Sequence, residues 1–152
     1  MGSSDSEYDL WVSSLSAMIF KFVKGIIAKL LFYLRSWFFD VRYKAIPRSE
    51  LDNLLAVWKR SVLPSLKYIS DLFDCDDYAE YMAVWLKMKT KTNGAGVALG
   101  SVEKGWASYG HAWVVAVVKD GSKIAIEFIE PQTGEYVTKD IGKSYKLEAV
   151  II

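Results

Sequence analysis

The chain has 152 residues, with one cysteine, one histidine, a formal net charge of +1 and a hydrophobic fraction of 52%. This length suits a single domain, and the hydrophobic fraction is too high for a disordered chain. The lone cysteine and lone histidine exclude an internal disulfide and a Cys/His zinc site, and the small net charge argues against a broad nucleic-acid-binding surface.

The first 44 residues predict a cationic amphipathic helix. Residues 10–48 contain seven basic residues and one acidic residue. Residues 10–39 lack proline, so we expect a helix of about 30 residues and roughly 45 Å. Its apolar belt is wide, and small or basic side chains recur at helical spacing along a narrow stripe: Ser14, Lys21, Lys24, Gly25, Ala28, Lys29, Arg35 and Ser36.

Three interpretations of this N-terminal helix stay open. It binds an anionic membrane surface, or it packs on its own domain or a second copy, or it spans a membrane at a tilt. Its longest uncharged run, residues 10–20, is short for a span. The acidic first nine residues argue against a cleavable signal peptide. We therefore expect an intracellular protein, peripheral to a membrane or assembled into an oligomer, with no nucleic-acid partner.

Residues 45–152 predict an α+β domain in which helices precede an antiparallel sheet. Helical spacing of apolar residues indicates helices over 49–62 and 74–89. After Asn93-Gly94 the pattern changes to runs rich in β-branched residues, separated by glycines. The predicted strands cover 97–103, 106–119, 123–130, 135–140 and 145–152.

Cys75 lies at the predicted start of the second helix, with Asp74 as its N-cap. The positive end of the helix dipole lowers the pKa of a thiol at this position and favours the thiolate. Asp76 and Asp77 oppose that effect, because nearby negative charge raises the pKa of a thiol unless a cation neutralises it.

Asp120-Gly121 predicts a two-residue hairpin turn in which Lys119 pairs with Ser122. In that register His111 lies directly opposite Glu130, at the end of an apolar face formed by Trp113, Val115 and Val117 with Phe128, Ile126 and Ile124. A carboxylate at that distance accepts the imidazole N–H and fixes its tautomer. Glu127 falls on the other face, which we expect to meet solvent.

A helix bearing Cys75 is expected to cover the sheet face that carries His111 and Glu130. A thiol, an imidazole base and an orienting carboxylate are what thiol-based acyl transfer needs. Taken singly, a cysteine near a helix start is also common as a small buried hydrophobe, and a strand histidine as a hydrogen-bonded core residue.

Three ordered motifs resemble the papain-like/transglutaminase-like cysteine superfamily. They are Asp74-Cys75-Asp76-Asp77-Tyr78-Ala79, Gly110-His111-Ala112-Trp113-Val114 and Ile129-Glu130-Pro131-Gln132-Thr133-Gly134. The pattern is most similar to the cysteine-protease domain at the C-terminus of fungal agglutinins and to small phage and archaeal proteins. The resemblance covers about residues 45–152.

By this resemblance Cys75 is the nucleophile, His111 the base and Glu130 the acid. The agglutinin relatives depend on calcium, and the resemblance implies that Asp74, Asp76 and Asp77 offer oxygen ligands suited to that hard cation. The alternative is that they are an N-cap and solvated acids in the first turn of the helix. Trp113 and Gln132 are candidate substrate-binding residues; Trp113 also suits the core, and Gln132 is a candidate oxyanion donor.

The sequence thus predicts thiol-dependent peptide or amide hydrolysis by Cys75, His111 and Glu130, with no cofactor required and calcium as an option. The alternative is a non-catalytic membrane-associated or assembly protein that retains the same scaffold, because a fold alone does not establish activity.

Overall fold

A mixed sheet with helices on both faces organises the part of the chain described by the computed structural model, residues 9–152. The helices are α1 (Val12–Phe20), α2 (Ile26–Arg35), α3 (Arg48–Val57) and α4 (Cys75–Thr90). The strands are β1 (Asp9–Trp11), β2 (Arg42–Lys44), β3 (Ile46–Pro47), β4 (Ala95–Lys104), β5 (Ala107–Asp120), β6 (Lys123–Glu130), β7 (Glu135–Tyr136) and β8 (Tyr145–Ile151).

The predicted α+β class with an antiparallel sheet is confirmed. Strands run in the order β7-β6-β5-β4-β8 with antiparallel pairing, and short β3 adds a parallel pair at the end of β5. A separate antiparallel pair joins β1 to β2. Helix α3 continues as a π-helical turn (Trp58–Val62) and a 3₁₀ turn (Leu63–Ser65), because Pro64 cannot extend an α-helix.

The single N-terminal helix of about 30 residues is wrong, because the segment forms two shorter helices. Gly25 has φ +87 and separates α1 from α2. That left-handed conformation suits glycine and interrupts regular helix geometry. The break lets Leu15 and Ile19 of α1 and Phe32 of α2 reach the core. No helix among residues 9–152 has the length and hydropathy needed to cross a membrane.

The two faces of the sheet are both apolar and both covered. Trp113, Val115 and Val117 of β5 pack with Leu15 and Ile19 of α1 in one core. The alternate residues of β5, Ala112, Val114, Ala116 and Val118, pack with α3 and α4 in a second core. The face assigned to solvent in the sequence is therefore buried under α4, and its Glu127 pairs with Arg48.

The hairpin joining β5 to β6 differs in register from the sequence prediction. Asp120 pairs with Lys123, and the turn residues are Gly121 and Ser122, not Asp120 and Gly121. Gly121 has φ +58, as turns with glycine at the first central position require. Each residue of β5 therefore faces a residue two positions further along β6 than predicted. A shift of two keeps every side chain on its predicted face.

Candidate functional site

A cavity of about 900 Å³ lies where β5 extends beyond the end of β6. Cys75, His111, Glu130 and Gln132 all line it. Antiparallel pairing of β5 with β6 stops at Val114 and Ile129, so the site occupies the space that a longer β6 would fill. The cavity therefore brings together the thiol, the imidazole and the carboxylate identified in the sequence.

His111 and Glu130 form a short hydrogen bond. The distance from His111 Nε2 to Glu130 Oε2 is 2.6 Å, although the two residues are diagonal neighbours rather than directly opposite. Glu130 is 7% exposed, so the pair is largely shielded from water. Because the carboxylate accepts from Nε2, the Nδ1 atom of the ring is left to exchange a proton.

Two further donors hold the Glu130 carboxylate. The Tyr145 hydroxyl donates to Oε2 at 3.1 Å, and the backbone N–H of Gln132 donates to Oε1 at 3.2 Å. Burial and the neighbouring Glu130 raise the pKa of the Tyr145 phenol, so this donor keeps its proton at neutral pH. A buried carboxylate needs such partners, since leaving its lone pairs unsatisfied is costly.

Cys75 is the first residue of α4 and is partly buried. Asp77 accepts a hydrogen bond from the backbone N–H of Asp74 at 3.0 Å, which closes a capping box and confirms the predicted helix start. The Cys75 sulfur accepts a hydrogen bond from the backbone N–H of Ala112, the residue that follows His111. Capping thus fixes the thiol beside the strand that carries His111.

The pKa of the Cys75 thiol is raised. Burial is the largest cause, and the carboxylates of Asp74 and Asp76 add to it, while the Ala112 N–H acts in the opposite direction. The resting thiol is therefore protonated at neutral pH. A nucleophilic thiolate at this site requires a base to remove the proton.

Cys75 and His111 approach the cavity from opposite faces of the sheet. The expectation that α4 covers the face bearing His111 and Glu130 is wrong, because α4 packs on Ala112 and Val114, whereas His111 shares its face with Trp113. Both residues line the cavity at the edge of β5. They make no direct hydrogen bond in the described structure.

The three aspartates predicted to bind calcium do not point to one common site, because they make different hydrogen bonds. Asp77 is occupied in the capping box. Ligand atoms of Asp74, Cys75 and Asp76 lie within 4.8 Å of one another. The hydrogen bond between the two carboxylates lowers the pKa of Asp74 and raises that of Asp76. Two carboxylates and a thiol fall well short of the six to eight oxygens that calcium takes, so the donor set does not fit that ion by itself.

Of the two candidate substrate-binding residues, the structure places Gln132 in the cavity lining and Trp113 in the core. Trp113 is 0% exposed and does not line the cavity, so its assignment as a substrate contact is corrected to a packing role beneath His111. Its ring packs edge-on against that of Tyr145, with centroids 5.3 Å apart.

Several residues of the site escaped the sequence analysis. Tyr145 on β8 holds Glu130, and Tyr78 on α4 lines the cavity beside Cys75. Trp58 donates from Nε1 to the carbonyl of Pro131 at 2.8 Å and anchors the turn that follows Glu130. Only Tyr78 had a sequence cue, because it lies within the motif that contains Cys75.

The fold and this site define a member of the agglutinin C-terminal family. The family's sequence profile matches residues 43–136, more than half of the chain, so the chain belongs to that family. The matched region contains Cys75, His111 and Glu130 but not Tyr145. No curated protein matches the chain significantly.

A solved structure described as a PSL1a–E64 complex is similar in fold. Its TM-score is 0.65 with 24% sequence identity, and the match covers 95% of this chain and 51% of that one. The chain thus spans about half the length of this structural neighbour. At this level of identity the likeness concerns the fold.

Proposed function

We propose that the chain performs thiol-dependent acyl chemistry, most simply peptide or amide hydrolysis, with a papain-like arrangement of Cys75, His111 and Glu130. The hydrogen bond of 2.6 Å between His111 and Glu130, in the cavity that Cys75 lines, is the observation that carries this proposal. Membership of the agglutinin C-terminal family and the neighbour's complex with E64 are consistent with it.

Each group has a defined step in the proposed reaction. His111 Nδ1 removes the proton of the Cys75 thiol, and the thiolate attacks the substrate carbonyl. Glu130 stabilises the resulting imidazolium, which then protonates the departing amine. Water attacks the thioester in the second half-reaction, releases the acid and regenerates the thiol. The Gln132 side chain is a candidate donor to the oxyanion, as its place in the cavity lining allows.

Alkylation of the only thiol tests this proposal directly. Although the pKa of the Cys75 thiol is raised, we expect iodoacetamide to modify it at pH 7 faster than a model thiol, because His111 accepts the proton as the sulfur attacks. His111→Ala should lower that rate roughly tenfold, because the proton acceptor is lost. Ser108→Ala, on the same strand, serves as the matched control. Equal rates in the wild type and His111→Ala would exclude His111 as the base and would contradict the catalytic assignment.

Hydrolysis of a fluorescein-labelled unfolded protein extends the test to turnover. We expect Cys75→Ser to abolish release of fluorescent peptides and His111→Ala to reduce it by about 10²–10⁴-fold, the usual contribution of a general base. Retention of activity in Cys75→Ser would show that another group performs the chemistry. An inactive wild type with His111-dependent labelling would favour transfer to an amine over hydrolysis.

We further propose that the N-terminal region holds the enzyme at an anionic membrane surface. Exposed apolar side chains extend over α2 and the segment that follows it, and the exposed Lys29 lies within α2. The apolar set comprises Ile27, Leu30, Leu31, Leu34, Trp37, Phe39 and Val41, and we call it the α2 patch. Apolar and aromatic side chains beside basic ones suit the headgroup region of an anionic bilayer.

A further inference from the structure

Helix α2 lies along β8 and begins at the end of that strand that borders the cavity. Just before the first turn of α2, Lys24 Nζ donates to the carbonyl of Gly142 at 2.9 Å. At the other end of the helix, Arg35 pairs with Glu148 at 3.6 Å. Tyr145 follows Gly142 by three residues, is the first residue of β8 and lines the cavity. The α2 patch therefore begins beside the proposed active site.

The exposed stripe of α2 points away from the sheet. Four exposed residues follow the spacing of one helix side: Ile27, Leu30, Leu31 and Leu34. Phe32 lies on roughly the opposite side of the helix and is buried in the core that α2 shares with the sheet. A bilayer bound to this stripe therefore lies over the sheet face that α1 and α2 cover.

The cavity reaches the same face of the sheet. His111 shares its face of β5 with Trp113, which is buried in the core that α1 and α2 cover. Tyr109 follows the same alternation, is exposed and lines the cavity. Tyr145 packs against that core as well. A polypeptide that approaches from the side of α2 therefore meets these residues before it reaches Cys75.

Exposed lysines lie at the cavity end of the α2 patch. Lys21 and Lys24 are exposed in the connection between α1 and α2, and Lys143 is exposed in the loop that Lys24 contacts. Asp140 is the one acidic residue of that loop between β7 and β8, and residues 10–39 have none. An anionic surface therefore attracts the end of the patch that adjoins the cavity.

The geometry of a helix on a sheet sets the distance between such a bilayer and the site. With a layer spacing of about 10 Å and a helix radius of about 5 Å, the outer side of α2 lies roughly 15 Å above the sheet. The cavity lies at the level of the sheet, where β5 extends beyond β6. A chain anchored in the bilayer therefore needs about five extended residues to cover this distance.

We propose that the substrates are juxtamembrane segments of membrane-embedded proteins, with the reactive carbonyl within about 20 Å of an anionic bilayer. This inference rests on the proposed thiol chemistry and membrane attachment, and it names the substrate class of that site. A segment held so close to the bound enzyme is presented at a high effective concentration, so it reacts well even with a modest intrinsic affinity.

Lipid-anchored probes of different lengths test this inference. Each probe is a dipeptide chloromethyl ketone joined through a Gly/Ser spacer to a dialkyl lipid, in vesicles that contain phosphatidylserine. With all of the protein bound, we expect a spacer of about six residues to give alkylation of Cys75 roughly tenfold faster than one of about 40 residues, because effective concentration falls with linker length. Equal rates, or faster labelling through the longer spacer, would place the site away from the bilayer and overturn the inference.

Variants of the full chain connect the spacer preference with the α2 patch. Leu34→Ser combined with Trp37→Ser should abolish the faster reaction of the short-spacer probe, because the protein then leaves the vesicle. Val84→Ser combined with Met88→Ser, on the exposed side of α4, should keep it. A preference that persists in the first variant, or is lost in the second, would contradict the role of α2 in presenting the substrate.

Two further measurements separate this inference from the proposals on which it rests. The same dipeptide probe without a lipid anchor reports on the thiol chemistry, because its rate should depend on His111 with or without vesicles. Co-sedimentation with the vesicles reports on membrane attachment. Loss of the spacer preference with both of these intact would overturn the juxtamembrane substrate alone, whereas absence of vesicle binding would overturn it together with membrane attachment.

Discussion

At the scale of single residues, the surroundings of Cys75 favour the protonated thiol over the thiolate. Burial and the nearby Asp74 and Asp76 carboxylates raise the pKa of the thiol, whereas the backbone N–H groups of Ala112 and Asp76 act in the opposite direction. The helix dipole considered in the sequence therefore does not determine the protonation state. The proposed role of His111 follows from this balance, because the thiol needs a proton acceptor at neutral pH.

The pH dependence of alkylation should reveal that raised pKa. In His111→Ala the thiol has lost its proposed base, so we expect the rate to rise with a midpoint above the value of about 8.5 for a free thiol. In the wild type, the rate at pH 6–7 should lie well above that of the variant. Iodoacetamide rates between pH 5 and 10 provide both profiles. A variant midpoint below that of a model thiol would contradict the raised pKa.

Tyr145 is expected to act as a positioning residue through Glu130. Tyr145→Phe removes the hydroxyl that donates to Oε2, and we expect it to cost about 1.5–3 kcal/mol in free energy of unfolding, as for hydrogen bonds to charged groups. The alkylation rate at pH 7 should fall severalfold, because Glu130 then holds the imidazole less firmly. Denaturant unfolding and labelling rates measure the two effects. Tyr109→Phe, which keeps the ring and has no hydrogen bond to Glu130, is the control.

Sequence reasoning located the contact between His111 and Glu130 despite an incorrect register. A shift of two residues leaves both side chains on the same face and within reach as diagonal neighbours. The hydrogen bond from Tyr145 was not predictable in the same way. It depends on β8 pairing with β4 through a shifted register between Leu99 and Gly100, which only the tertiary structure determines.

At the scale of elements, the start of α4 combines a capping box with several aspartate carboxylates close to the thiol. Asp77 closes the capping box, whereas the exposed Asp76 carboxylate shares a hydrogen bond with Asp74 and is one of the charges that raise the pKa of the thiol. We expect Asp76→Asn to lower the thiol pKa slightly and to increase alkylation at pH 8 by roughly twofold, since solvent screens an exposed charge. The same labelling assay measures the change.

Asp77→Asn is the comparison for that prediction. It removes a similar charge but weakens the cap, so we expect a loss of about 1 kcal/mol in free energy of unfolding instead.

If Asp76→Asn slowed alkylation, the carboxylate would be assisting the thiolate, for example through a bound cation, and the predicted calcium site would gain support.

At this scale, the sequence could not determine which helices pack on which face of the sheet. Both sets of alternating β5 side chains are apolar, because α1 covers one face and α3 and α4 cover the other. Two apolar faces give no pattern that shows which helix covers which. The break at Gly25 was also missed, since helical spacing of polar residues continues across it.

At the scale of the whole molecule, the N-terminal helices are part of the sheet's core. Leu15, Ile19 and Phe32 are buried with Trp113 and Phe128. The predicted boundary between residues 44 and 45 stays a prediction, but cutting there would expose this apolar surface. We expect residues 45–152 alone to unfold at a much lower denaturant concentration than the full chain, or to aggregate. Urea unfolding followed by tryptophan fluorescence measures the difference.

Point variants in the full chain therefore test membrane binding better than truncation. Leu34 and Trp37 are 67% and 62% exposed in the α2 patch, so serine at both positions should leave the core intact. We expect this double variant to lose most binding to vesicles containing phosphatidylserine, because each large side chain contributes about 1.5–3 kcal/mol when buried. Co-sedimentation measures the bound fraction.

Val84 and Met88, exposed on α4, provide the matched control, since serine at both positions should leave vesicle binding unchanged. Equally strong binding to neutral vesicles would contradict a contribution of the basic residues to membrane binding. Absence of vesicle binding, with dimers that the α2-patch variant abolishes, would assign the patch to a second copy of the chain.

The division of the proposed catalytic groups between elements also has a consequence for folding. His111 and Glu130 belong to one hairpin, and their contact spans only 19 positions of the chain. Cys75 arrives on a helix that packs against this hairpin only through tertiary contacts. Local contacts tend to form before distant ones. We therefore expect nascent or partly folded chains to contain the base and its carboxylate before the nucleophile docks, which would delay reactivity until folding is nearly complete.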